Sequence, residues 1–227
     1  MTNNDNTLAL VVTISEYIKT IQKNRMKKKQ KITTELTMKK IENKNNFCRL
    51  LRSTNRHGIG DVIAELEWLD FFEAPASRKD HNAYPGGLVA HSLNVYRVAK
   101  ELSLVMRNIN PDLEVSDDSL IIASLLHDIC KAPRYQGSIN TGGVYQKNYS
   151  HLPVGHGEKS VIMLLRLGLE LTDDEIMAIR WHMGAWQIAL HNEEMQQDYV
   201  HATHTCPLLS IIEAADKLAA QILEVTK

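Results

Sequence analysis

Acidic residues embedded in apolar segments constrain this chain more than any other feature. Asp128 follows the apolar run at residues 121–126, and Asp216 follows the largely apolar stretch at 208–215. An ionised carboxylate is costly to bury unless something positive meets it, and neither apolar stretch contains a Lys or Arg. Four histidines share the setting: His91 in GGLVAHS, His127 in LLHDICK, His156 in LPVGHGEKS and His182 in IRWHMG. A divalent cation would satisfy both acids and several imidazoles together. Neutral imidazole with carboxylate suits Mn, Fe, Co, Ni or Zn. Neighbouring helical residues point about 100° apart, so His127 and Asp128 can straddle one ion from one helix.

Taken singly, each of these histidines reads as an ordinary hydrogen-bonded residue, and a lone His-Asp dipeptide carries little information. The ordered set of four helix-borne histidines and two acids is much harder to obtain by accident. The chain has ten histidines. His57, His151, His191, His201 and His204 lie in polar or loop-like contexts and read as ordinary core or surface residues rather than ligands.

The periodicity is helical almost throughout. Apolar spacing predicts helices over residues 7–21, 46–53, 61–72, 88–106, 117–130, 157–167 and 207–225. Another starts at Thr172, where Thr172 and Glu175 form a capping box, and ends at Gly184. Residues 74–87 are rich in breakers, including Pro75, Pro85 and the pair Gly86–Gly87, which lets the chain turn tightly into the His91 helix. Residues 133–151 read as a polar loop with room for a small hairpin through 143–145. The fold class is therefore all-α.

Charge divides the chain. Residues 19–52 hold twelve Lys/Arg against Glu35 and Glu42, although the net charge of the whole is only -1. We expect a basic helical N-terminal extension over residues 1–55 and an acidic domain over 56–227. Such an extension can attract a polyanion, or serve simply as a solvated lead-in. Three unpaired-looking cysteines and the absence of a long apolar run or a signal-like start predict a cytoplasmic protein without a membrane span.

The order His91, His127–Asp128, His156, His182, Asp216 resembles the HD superfamily of metal-dependent phosphohydrolases, over roughly residues 72–225. The resemblance implies an HD-domain helical bundle. It implies that His91, His127, Asp128 and Asp216 hold one ion. His156 and His182 would hold a second, with Asp128 bridging, as in family members with two metals (Mn, Fe, Ni, Co, Zn or Mg). The stretch APASRKDHNAYPGGLVAHS is similar to the entry of the metal site in HD domains of a bacterial 3′–5′ exoribonuclease family and of related phage and bacterial proteins. Lys131 in HDICK departs from HD 5′-nucleotidases, which carry HDxxE. It resembles exonucleases and cyclic-dinucleotide phosphodiesterases, although the GYP element of the latter is missing and no OB-fold module is evident before the domain.

The implied reaction is hydrolysis of a phosphoester in a phosphorylated small molecule or single-stranded nucleic acid. The cations would acidify a water molecule and neutralise charge developing on phosphoryl oxygens. Asp128 and Lys131 are the catalytic candidates. Lys131 would stabilise phosphate charge, unless it only complements a helix C-terminus. His81 could contact substrate or donate a proton. Lys159 follows His156 at helical spacing and could add a phosphate contact. Arg134, Tyr135 and Tyr145 would line a substrate wall. Two other readings stand: an HD-fold mixed-valent diiron oxygenase, which resembles the same ligand set, and a nucleotide- or nucleic-acid-binding module without catalysis.

Overall fold

The computed structural model describes residues 3–136, 146–147, 152–188 and 192–225. It divides into two compact units, Met1–Glu42 and Asn43–Lys227. Helix α1 (Asn3–Ser53) begins in the first and ends in the second. The two apolar stretches expected at 7–21 and 46–53 thus belong to one helix. The lysine-rich stretch between them has no breaker, and Lys is a good helix former. In the first unit the described side chains are solvated, with ion pairs such as Lys31–Glu35 and Lys39–Glu42 along the helix.

The second unit is helical. After α1 come α2 (Ile59–Trp68), α3 (Gly87–Ile109), α4 (Asp117–Leu126), α5 (His156–Arg166), α6 (Asp173–Trp181), α7 (Glu193–Thr205) and α8 (Pro207–Leu218). A short 3-10 turn, Ile129–Arg134, leads into strand β1 (Tyr135–Gln136). This pairs antiparallel with β2 (Gln146–Lys147), a two-residue ribbon in an otherwise helical fold. The hairpin expected through 143–145 lies outside the described residues.

Helix α4 is the centre. All its residues from Ser119 to Leu126 are buried, which explains why its sequence is apolar all round rather than amphipathic. It packs against α3, α6 and α8. A fully buried Leu or Ile contributes roughly 2 kcal/mol, and Leu120, Ile122, Leu125 and Leu126 are all at or near zero exposure. The end of α1 packs a separate corner: Phe47 meets Phe71 and Phe72 with ring centroids 5.2 and 5.6 Å apart. Arg56 and Glu175 tie α6 to the chain after α1 through a bidentate pair at 2.8 and 2.9 Å, and Ser119 on α4 donates to the same carboxylate.

Several boundaries differ from expectation. Helix α4 stops at Leu126, not at Cys130, so His127 and Asp128 stand at a helix end. The capped helix from Thr172 ends at Trp181 before a short 3-10 turn, Gly184–Gln187. Helix α8 ends at Leu218 and continues as a π-turn, Ala219–Leu223. Helix α7 was not expected. Its Glu, Gln and His content hides a narrow apolar stripe at Met195, Tyr199 and Ala202, and Asn192 caps it by accepting from the Met195 amide at 3.0 Å. His201 and His204 therefore lie on a helix, where they are exposed.

Candidate metal centre

Three helix ends and two helix interiors converge on Asp128. His91 comes from the second turn of α3, and the entry into that helix is tight. Gly86 has φ +81°, and a Cβ on Gly87 would lie 1.9 Å from the Asn82 carbonyl oxygen. His127 ends α4 and His182 ends α6. His156 starts α5, and Asp216 lies in α8. Gly157 allows α5 to approach α6, because a Cβ there would be 2.1 Å from the Arg180 carbonyl oxygen. Cys130 anchors the turn after Asp128 to α5, with its thiol donating to the His156 carbonyl at 3.2 Å.

The two oxygens of Asp128 face different partners. Oδ2 is 3.3 Å from His127 Nε2 and 3.8 Å from His91 Nε2. Oδ1 is 3.1 Å from His156 Nε2 and 3.6 Å from His182 Nε2. Asp216 Oδ1 lies 3.0 Å from His91 Nε2 and 4.0 Å from His127 Nε2. His156 and His182 meet Nε2 to Nε2 at 2.9 Å. Two ligand atoms bonded at about 2.1 Å and at right angles lie about 3.0 Å apart, so the separations of 2.9 to 3.3 Å match the edges of a coordination polyhedron, while those of 3.6 to 4.0 Å are longer than such an edge. His91 Nε2, His127 Nε2 and Asp128 Oδ1 are buried and make no aligned hydrogen bond. Buried polar atoms normally find a partner, and divalent cations on the two sides of Asp128 would supply one to each.

The far side of each ring supports this. His127 Nδ1 donates to the Ser124 carbonyl at 2.8 Å, and His182 Nδ1 to the Ile179 carbonyl at 2.7 Å. These are acceptors that a helix C-terminus leaves open. With Nδ1 protonated, the Nε2 lone pair is the one turned inward. His91 Nδ1 meets the Glu224 carboxylate at 3.0 Å.

The electrostatics follow. Burial raises the carboxyl of Asp128, but Lys131 and the surrounding imidazoles outweigh it and hold the group well below the usual range. Asp216 is also held low, burial being overcome by His91 beside it. Burial lowers His91, yet the Asp216 and Glu224 carboxylates drive it up to about 9. Burial takes His156 down to about 4, leaving its imidazole neutral at ordinary pH.

The other sequence candidates divide. Lys131 is buried and ion-pairs Asp128 Oδ2, so it belongs to the centre. His81 packs its ring 5.0 Å from that of His91, and its Nε2 is buried without a hydrogen bond. Lys159 is buried on α5, one turn after His156. Arg134 and Tyr135 have described backbones only, in the 3-10 turn and β1, and Tyr145 lies outside the described residues. Two residues went unnoticed in the sequence, Glu224 and Asn94, whose side chains join at 2.9 Å beside His91.

The family model described as HD domain matches residues 88–221, more than half of the chain. The chain belongs to the HD domain family. A dihydroneopterin 2′,3′-cyclic phosphate phosphodiesterase of Methanocaldococcus jannaschii is 40% identical over 101 residues, covering 44% of this chain and 36% of that protein. A 3′-5′ exoribonuclease YhaM of Listeria welshimeri is 26% identical over 174 residues, covering 76% of this chain and 48% of the relative. A YhaM exoribonuclease of Geobacillus sp. is 25% identical over 150 residues, covering 66% and 41%. This HD chain thus spans half or less of the length of these curated relatives. No solved structure matches it significantly. Among the described residues no helix is long and apolar enough to cross a membrane.

Proposed function

We propose that the HD domain of this chain hydrolyses a phosphodiester of a nucleotide or single-stranded nucleic acid, using two divalent cations. The observation that carries the reading is the division of Asp128: one carboxylate oxygen faces His91 and His127, the other His156 and His182. His91, His127, Asp128 and Asp216 would hold one cation, and His156 and His182 the other, with Asp128 shared. Bound there, the cations would polarise the phosphate and acidify an attacking water.

The remaining work falls to the chain itself. Lys131 lies against Asp128 and can neutralise charge gathering on the phosphoryl oxygens. His81, half-buried beside His91, can contact substrate or pass a proton to the leaving oxygen. Burial lowers the pKa of its imidazole, so proton delivery would have to come from a transient cation. Lys159, one turn after His156 on α5, would add a phosphate contact, and Arg134 and Tyr135, which follow HDICK in sequence, would contribute to a substrate wall. The names of the two kinds of relative, a cyclic phosphate phosphodiesterase and an exoribonuclease, favour diesters over monoesters. Buried free cysteines fit a cytoplasmic setting.

The test is a screen of the purified chain with Mn²⁺, Fe²⁺, Co²⁺, Ni²⁺, Zn²⁺ or Mg²⁺ under anaerobic conditions. Substrates are bis-p-nitrophenyl phosphate, a 2′,3′-cyclic nucleotide and a short single-stranded RNA. Metal-dependent cleavage of at least one is expected. No cleavage with any cation, together with oxygen consumption by the iron form, would replace the reading with an oxygenase.

A further inference from the structure

His91 differs from the other ring ligands in where it stands. His127 and His182 end their helices and take an open carbonyl of their own last turn. His91 lies inside α3, where the neighbouring carbonyls are engaged in the helix ladder. It needs an acceptor from elsewhere, and the structure supplies one from the far end of the domain.

Glu224 is buried, with Oε2 at 3.0 Å and Oε1 at 3.2 Å from His91 Nδ1. Asn94, one turn after His91 on the same face of α3, donates to Oε1 at 2.9 Å. The backbone explains how Glu224 arrives there. At about 100° per residue, a continued α-helix would carry position 224 roughly 80° past Asp216. Instead the chain widens into the π-turn Ala219–Leu223, closed by the Glu224 amide to the Ala219 carbonyl at 3.1 Å. Wider turns rotate less per residue, so Glu224 falls back toward the face that carries Asp216. Such π-turns are uncommon and concentrate at functional sites.

We infer that Glu224, held by Asn94, is a positioning residue that fixes the His91 ring with Nδ1 protonated and Nε2 aimed at the first cation site. Carboxylates in this relation to a metal-binding imidazole raise its basicity and lock its orientation, and their loss typically weakens metal binding about 10–100-fold. The inference rests on the proposed metal centre and deepens it: α8 and its π-turn supply both Asp216 and the group that orients His91.

The experiment is calorimetric titration of Mn²⁺ into the full chain, beside Glu224→Ala, Glu224→Gln and Asn94→Ala, with folding checked by circular dichroism. Glu224→Ala should bind the first cation about 10–100-fold more weakly. Glu224→Gln keeps an acceptor for the Nδ1 proton and should recover most of that loss, and Asn94→Ala should lose less than Glu224→Ala. Wild-type affinity in a folded Glu224→Ala, or equal impairment by Ala and Gln, overturns the inference. If Glu224→Ala does not fold, wild-type affinity in Asn94→Ala overturns it and a weakened first site there upholds it. A wild-type chain that binds Mn²⁺ but cleaves no diester would defeat the functional reading while leaving Glu224 in its role. A chain that binds no divalent cation defeats both.

Discussion

The rings of His127 and His182 lie 4.7 Å apart, each is the residue that ends its helix, and each donates Nδ1 to the carbonyl three residues back. One device is used twice. It turns both Nε2 atoms toward Asp128, but toward different oxygens, His127 to Oδ2 and His182 to Oδ1. Two sites sharing one carboxylate should therefore be separable by mutation.

Metal content should follow that geometry. The wild-type chain is expected to retain two Mn²⁺ per molecule, and His182→Ala or His156→Ala one, because the first site keeps His91, His127 and Asp216. Asp128→Ala should lose both cations and all hydrolysis, since it removes the shared ligand. Plasma mass spectrometry of desalted protein reads the stoichiometry, and release of p-nitrophenol reads the activity. Two retained ions in His182→Ala, or full activity in Asp128→Ala, would refute the arrangement.

The six residues stood out in the sequence as candidates because a buried carboxylate such as Asp128 or Asp216 needs a positive partner, a need that Lys131 meets in part for Asp128. The capping box at Thr172 was legible for a local reason, since its hydrogen bonds stay within one turn. Glu224 was not, because nothing in its own neighbourhood marks it. Its partner is His91, far away in sequence, and its placement depends on a π-turn that periodicity does not encode. Helix α7 was missed because its apolar stripe is only three side chains wide.

Glu175 should be a stability hot spot with no part in the chemistry. Its side chain is fully buried, bonded twice by Arg56 and once by Ser119, and it also closes the Thr172 cap. Removing one partner of a buried ion pair costs about 3–5 kcal/mol. Arg56 keeps 18% side-chain exposure, so some water can replace the carboxylate. Glu175→Ala is therefore expected near the lower end, about 3 kcal/mol, in urea unfolding. A loss below about 1 kcal/mol would mean that the network is already solvated.

Cys206 gives a pH signature. Its thiol is fully buried, and burial pushes it from the ordinary 9.0 up to about 11. The native state thus disfavours the thiolate relative to the unfolded chain. The sign follows from linkage: this contribution is complete below pH 9 and is lost as pH rises through 9 toward 11. At pH 8 the native thiol should resist a disulfide reagent and react only on unfolding. Cys206→Ala should lessen the alkaline loss of stability measured by urea midpoints. Rapid stoichiometric labelling of native Cys206 at pH 8 would contradict its burial.

The basic segment invites the last prediction. Residues 19–42 carry nine Lys/Arg against Glu35 and Glu42, and the described side chains there are solvated. The compact second unit begins at Asn43, and its core takes Phe47, Leu50 and Leu51 from the end of α1. Deleting residues 1–42 should therefore leave that unit folded, whereas deleting through Ser53 should not, because it empties the contact of Phe47 with Phe71 and Phe72. If the segment gathers a polyanion, its cations release counterions on binding and affinity falls steeply with salt. The 1–42 deletion should then bind single-stranded nucleic acid more weakly, with a flatter salt slope, while turnover of a small diester changes less than about twofold. Circular dichroism separates unfolding from lost binding. A folded deletion variant with unchanged affinity and salt slope would make the segment a solvated lead-in, and substrate recognition would then rest on the residues around Asp128 alone.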